Sequence, residues 1–234
     1  MKKSILTLVS LLAVTFSMNA QSKFRFNEDV DLTFGNDVFV VEPLSYIGFG
    51  YHLKNNEMSS EQNAFNSEFF VNIMELGFRP FRGGMISLGV DYDLDQYRLN
   101  KKYYWYAIEE KGAIILPIEA SLYKNVKYSR INVHTFSIPL SFELNTNKCA
   151  FRIGVAGEYN LPAVNKNYFA NIDGGTSRYR VKNIPVNEFT YSLFGSIAYG
   201  GFGVYVRYRP MYQLGEGSPQ FKTLTIGAVL GIGM

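Results

Sequence analysis

Cysteine is nearly absent from the 234-residue sequence, with Cys149 the only one, and the chain has two histidines and one tryptophan. A lone cysteine excludes an intrachain disulfide. It cannot build a zinc site by itself either, and only two histidines exist to help it. Cys149 therefore reads as a small residue at the start of a strand. A strong charge of one sign is also missing. The formal net charge is +3, and it falls to +1 without Lys2 and Lys3. That near-neutral balance gives no case for a nucleic-acid partner. Beyond residue 20 no apolar run approaches the roughly 20 residues that a membrane helix needs. There is no linker, no low-complexity stretch and no sign of a second domain.

The N-terminus reads as a secretory signal peptide. Lys2 and Lys3 precede an apolar run from Ile5 to Phe16, and Ser17, Met18, Asn19 and Ala20 follow, with cleavage expected between Ala20 and Gln21. The run is too short to span a bilayer as an anchor. The expected domains are residues 1–20 as the signal and 21–234 as one folded unit.

The chain is rich in 19 Phe, 17 Tyr and 21 Gly. Period-two alternation gives this composition its meaning. Ile86, Leu88, Val90, Tyr92 and Leu94 alternate with Ser87, Gly89, Asp91, Asp93 and Asp95, the mark of a strand with one apolar and one polar face. The pattern recurs over residues 134–144, 151–160, 189–199, 202–209 and 223–232, and more noisily over 45–54 and 68–81. The apolar faces run about ten residues and often begin or end in Tyr or Phe, as lipid-crossing strands with aromatic girdles do. The opposite faces mix small residues with full charges, which suits a packed lumen. Short connections are expected at Arg82-Gly83-Gly84, Thr146-Asn147 and Gly200-Gly201, the last a tight-hairpin signal. Pairing Tyr199 with Phe202 sets Ile197 against Val204 and Ser192 against Arg209. Longer connections fall at about 55–66, 98–132, 162–186 and 214–220. Short turns at one end and long loops at the other describe a closed antiparallel transmembrane β-barrel. The count reads as eight strands. Ten is the alternative, because residues 30–40 could add a strand near the start and residues 113–123 could extend neighbouring strands or add a hairpin.

The segment from His134 to Leu144, followed by a tight turn and then Phe151 to Pro162, resembles the PorT-like outer-membrane β-barrels of the Bacteroidetes. Ile138-Pro139-Leu140 and the trio Gly154, Gly157 and Tyr159 carry the resemblance, which covers about a third of the chain. It implies an outer-membrane location and a small barrel, with no catalytic residues to transfer. Such barrels often end in an aromatic residue, whereas this chain ends in Met234.

The lumen is expected to hold a structural charge network of Glu75, Arg79, Asp91, Asp93, Asp95, Glu143, Arg152, Glu158, Arg207 and Arg209, because buried charges are costly unless paired. If Phe81 faces Met85 across the first turn, Glu75 lies opposite Asp91. The Asp91, Asp93 and Asp95 spacing begins like a calcium loop. That loop requires Gly and Glu where Gln96 and Lys102 stand, so no metal is expected. A hydrolase reading needs His and Ser on one face. His134 and Ser137 face opposite sides of one strand, and His52, with inward parity, has no nucleophile at a readable spacing. Tyr103, Tyr104, Trp105 and Tyr106 cluster on a long loop, where aromatics can bind a partner or join the interfacial belt. The expected function is non-enzymatic and needs no cofactor: an outer-membrane barrel with a filled polar lumen, acting in envelope structure, surface interaction or assistance to secretion. Its expected partners are outer-membrane lipid and, through the long loops, other envelope or secretion proteins. A small-solute channel and a membrane-embedded lipid-modifying enzyme are the alternatives.

Overall fold

In the computed structural model the described residues are 39–53, 65–81, 83–119, 123–146, 149–220 and 222–231. The expected signal peptide, most of residues 30–40, Asn147 and Met234 lie outside them. The strands are β1 (Phe39–Pro43), β2 (Tyr46–His52), β3 (Ser67–Phe81), β4 (Gly84–Arg98), β5 (Tyr103–Ile108), β6 (Gly112–Pro117), β7 (Tyr123–Asn145), β8 (Cys149–Asn171), β9 (Thr176–Ile184), β10 (Phe189–Tyr199), β11 (Phe202–Arg209) and β12 (Thr223–Gly231).

Each wall strand pairs antiparallel with the next, and β12 returns to β2, so the sheet closes. The wall is an eight-stranded barrel. β1 adds no ninth position. Both β1 and β2 pair with β3, at residues 74–78 and 67–71 respectively. They are two halves of one wall strand, broken where Leu44 takes φ 53. β3 carries a bulge at the same level, between Asn72 and Met74. Closure through the β12–β2 pair lets the wall strands bond to one another's backbones, as hydrocarbon demands.

Alternation sorts the side chains inside out. Ile153 is 65 % exposed and Ile138 57 %, whereas Asp93 and Asp95 are fully buried. One aromatic row crosses four neighbouring strands by register: Tyr92 opposite Phe136, Phe136 opposite Tyr159, and Tyr159 opposite Phe189. From Phe136 down to Leu144 the outward positions of β7 are Ile138, Leu140 and Phe142, about the length of a bilayer-crossing strand. The Gly200-Gly201 turn pairs Tyr199 with Phe202 and Ile197 with Val204, as expected. Both glycines have positive φ (57 and 85), which the primed hairpin turn requires.

Two expectations about the long connections change. Residues 98–132 and 162–186 are mostly strand rather than loop. β7 and β8 each run 23 residues, more than twice what the hydrocarbon needs, and stay paired beyond it. β9 adds a third strand to their outer half. Residues 112–117 form β6, which pairs only with β5 in a separate two-stranded hairpin and adds nothing to the wall.

Candidate functional site

The lumen is filled by three tiers of guanidinium and carboxylate groups. Inward positions on a narrow barrel converge, so residues distant in sequence meet across it. At the short-turn end Arg152 binds Glu75 and donates from Nε to Ser141 Oγ (2.8 Å), and its guanidinium lies 4.7 Å from the Tyr46 ring centroid. Glu143 faces Arg152 by register and accepts from Asn145 (2.6 Å). In the middle tier Arg207 bridges Glu68 and Asp93, and Ser137 donates to Asp93 (2.7 Å). Asp91 is held by neutral donors, Asn72 Nδ2 at 2.7 Å and the Tyr46 hydroxyl at 3.1 Å. In the outer tier Arg209 Nε donates to Glu158 (2.9 Å), and its terminal nitrogens reach Glu68 at 3.3 Å and Asp95 at 3.4 Å.

Above these tiers sits an apolar cap. Tyr97, Leu99, Trp105, Ile131, Val133, Ala163, Ile184 and Leu214 form one buried cluster. Trp105 Nε1 donates to the carbonyl of Tyr97 (3.0 Å), and its backbone is held by Ser129 and Asn167. The Tyr97 hydroxyl donates to Gln213, which in turn donates to Asp95 (2.8 Å). The hairpin of β5 and β6 thus seals the mouth with the only tryptophan in the chain.

Sequence-derived positions fare unequally. Glu75, Asp91, Asp93, Asp95, Glu143, Arg152, Glu158, Arg207 and Arg209 all lie buried in the lumen. Arg79 does not: it is exposed near the short-turn end of β3, where the strand's alternation gives way. Glu75 stands opposite Gly89, because Phe81 faces Gly84 and not Met85 and the register shifts again between Phe78 and Phe81; the bulge between Asn72 and Met74 then sets Asp91 opposite Asn72. Trp105 is fully buried and so unavailable to a partner. Tyr103 and Tyr104 are half-buried, and only Tyr106 of that cluster is exposed. Glu68, Asn72 and Gln213 were missed. Glu68 lies in the noisier β3 segment next to two phenylalanines, and Gln213 sits in a connection with no alternation to read.

His52 is buried and stacked on Tyr97 (centroids 5.4 Å apart). Its Nδ1 lies 2.8 Å from Thr225 Oγ1 and its Nε2 3.2 Å from Asp95. The hydroxyl–imidazole–carboxylate order is that of a hydrolytic triad, but all three are sealed beneath Tyr97 and Gln213. A lumen cavity of about 40 Å³ lies elsewhere, among Tyr46, Phe70, Asp91, Arg152, Tyr205 and Arg207. It has room for a few waters and no substrate. His52, Glu68 and Asp95 also present ligand atoms within 4.8 Å of one another. Any cation there would compete with Arg207 and Arg209, which already hold the two carboxylates. His134 points outward and pairs its Nδ1 with the Tyr92 hydroxyl (2.6 Å), on the face opposite Ser137.

No family model matches the chain, and no curated protein matches it. Among solved structures it is similar to Ail, the attachment invasion locus protein of Yersinia pestis, at 12% identity and a TM-score of 0.29, over 82% of this chain and 96% of that one. It is also similar to a mutant porin of Rh. blastica, at 10% identity and a TM-score of 0.15, over 82% and 99%. At these values the likeness carries no argument about fold or function. The closed wall, the apolar exterior and the charged interior make the chain a transmembrane-type β-barrel.

Proposed function

We propose that the chain is a non-enzymatic outer-membrane barrel whose lumen is plugged and whose work is done outside the bilayer, by the long paired extension of β7, β8 and β9. The observation that carries this reading is the occlusion: among the described residues three arginines and seven carboxylates are buried along the bore, and the Trp105 cap covers its mouth. An eight-stranded barrel leaves room only for side chains, which argues against a solute channel. The burial of His52 without an adjoining cavity argues against a lipid-modifying enzyme. Membership of the PorT-like barrels, and a role in assisting secretion or in surface interaction with envelope proteins, remain part of the proposal. They are supported by Ile138-Pro139-Leu140 pairing directly with the Gly157 stretch of β8.

The test is conductance. Purified barrel inserted in planar bilayers is expected to give no steady unit current. A stable open level in the wild-type protein would overturn the plugged reading in favour of the channel.

A further inference from the structure

Four cations stand side by side on the outer face of the extension. By register Arg98 is opposite Arg130, Arg130 opposite Lys166, and Lys166 opposite Arg180, so one cross-strand row spans β4, β7, β8 and β9. Like charges directly opposite one another repel, and an unpartnered sheet avoids such rows. Among the described residues no carboxylate forms a salt bridge with any of the four. Only the neutral Gln96 Oε1 lies between Arg98 (2.8 Å) and Arg130 (3.3 Å).

The row continues the lipid-facing surface. On β4 the outward positions run Tyr92, Leu94, Gln96, Arg98, and their partners on β7 run Phe136, His134, Asn132, Arg130. Polarity rises step by step from an aromatic pair to a cationic pair without a change of face. Six residues at about 3.3 Å each, on strands tilted about 40°, put the row roughly 15 Å above the aromatic belt. A phospholipid headgroup layer is only about 5–8 Å deep. A lipid whose phosphates are carried on sugars reaches higher.

We infer that the Arg98–Arg130–Lys166–Arg180 row binds the phosphate groups of a phosphorylated glycolipid of the outer leaflet. This rests on the outer-membrane reading above. Guanidinium and ammonium groups in line offer charge-assisted hydrogen bonds to adjacent phosphates, and the bound anion relieves the mutual repulsion of the row.

The test uses the full-length barrel in neutral-lipid nanodiscs, with variants Arg130→Gln, Lys166→Gln and the double variant. The probes are a core-phosphorylated lipopolysaccharide, the same lipid after phosphatase treatment, phosphatidylglycerol and inorganic phosphate. The expected result is binding of the phosphorylated lipid that drops roughly tenfold or more in the double variant. The dephosphorylated lipid and phosphatidylglycerol should bind wild type and double variant equally weakly. The unliganded double variant should also melt at a higher temperature than wild type, because the repulsion is gone. A merely structural row would not produce that gain. Unchanged binding in the double variant, or equal binding of the dephosphorylated lipid, would overturn the proposal. Inorganic phosphate binding as tightly as the lipid would refute the lipid assignment. None of these outcomes touches the conductance test, so the two readings fail separately.

Discussion

The lumen and the outer extension both concentrate charge, and they handle it in opposite ways. Inside, acids outnumber arginines. Each guanidinium there is engaged by at least one carboxylate, and serines, tyrosine and amides take up several of the acceptors that remain. Outside, cations line up across four strands with no carboxylate among them. The difference follows from solvent. A sealed low-dielectric interior cannot hold an unpaired charge cheaply, so its network is self-complementary. A wet surface tolerates repulsion, and there an unbalanced row signals a missing anion more than a fold requirement.

Breaking the inner network should cost most. Arg207→Met leaves Glu68 and Asp93 buried beside each other without their shared cation. Destabilisation of about 3–5 kcal/mol is expected, read by denaturant unfolding in detergent. Adding Glu68→Gln and Asp93→Asn should recover most of that loss. If Arg207→Met alone were neutral, the lumen would have to be wetter than its burial indicates. Removing the cap is next. Trp105→Ala should cost about 3–5 kcal/mol by its cavity, but the loss belongs to the cap. Protease should cut the β5–β6 hairpin while the barrel still migrates as folded on unheated gels. Cooperative loss of the whole barrel would show the two regions to be one unit.

The smallest effect sharpens the contrast by titration. On the extension, hydrogen bonds from Arg178, Thr176 and Lys127 lower the Tyr168 hydroxyl from 10.0 to about 8. The hydrogen bond to Tyr179 raises Tyr123 to about 12. An ultraviolet titration should therefore show one tyrosinate forming as pH rises through about 8, well ahead of Tyr123. Tyr168→Phe should abolish that early step, and Arg178→Gln should move it back toward 10. An early step that survives in Tyr168→Phe would assign the low value to another ring.

The wall was legible because alternation and lipid impose the same constraint. Ile86, Leu88 and Val90 could only be lipid-facing if Ser87, Gly89 and Asp91 faced a closed interior, and Gly200-Gly201 fixed one turn by its need for positive φ. Most of the network was legible for the same reason: an inward charge on a narrow barrel must meet others. What escaped were features with no period. The Phe81–Gly84 turn pairing and two irregularities in β3 together moved Asp91 from Glu75 to Asn72. Alternation does not say where lipid ends, since paired strands above the membrane alternate too, and so the period alone does not reach the full length of β7 and β8. The aromatic loop looked like a surface feature because tryptophan in a connection gives no hint of what it covers.

By itself, then, the order of residues determined that the strands cross lipid with their polar faces enclosed, because a two-residue period allows each strand just two faces and hydrocarbon accepts only one of them. Which charges meet, what plugs the mouth, and that four cations from four separate segments share one row were decided by register. Register emerges only when bulges, breaks and closure have set every strand against its neighbours.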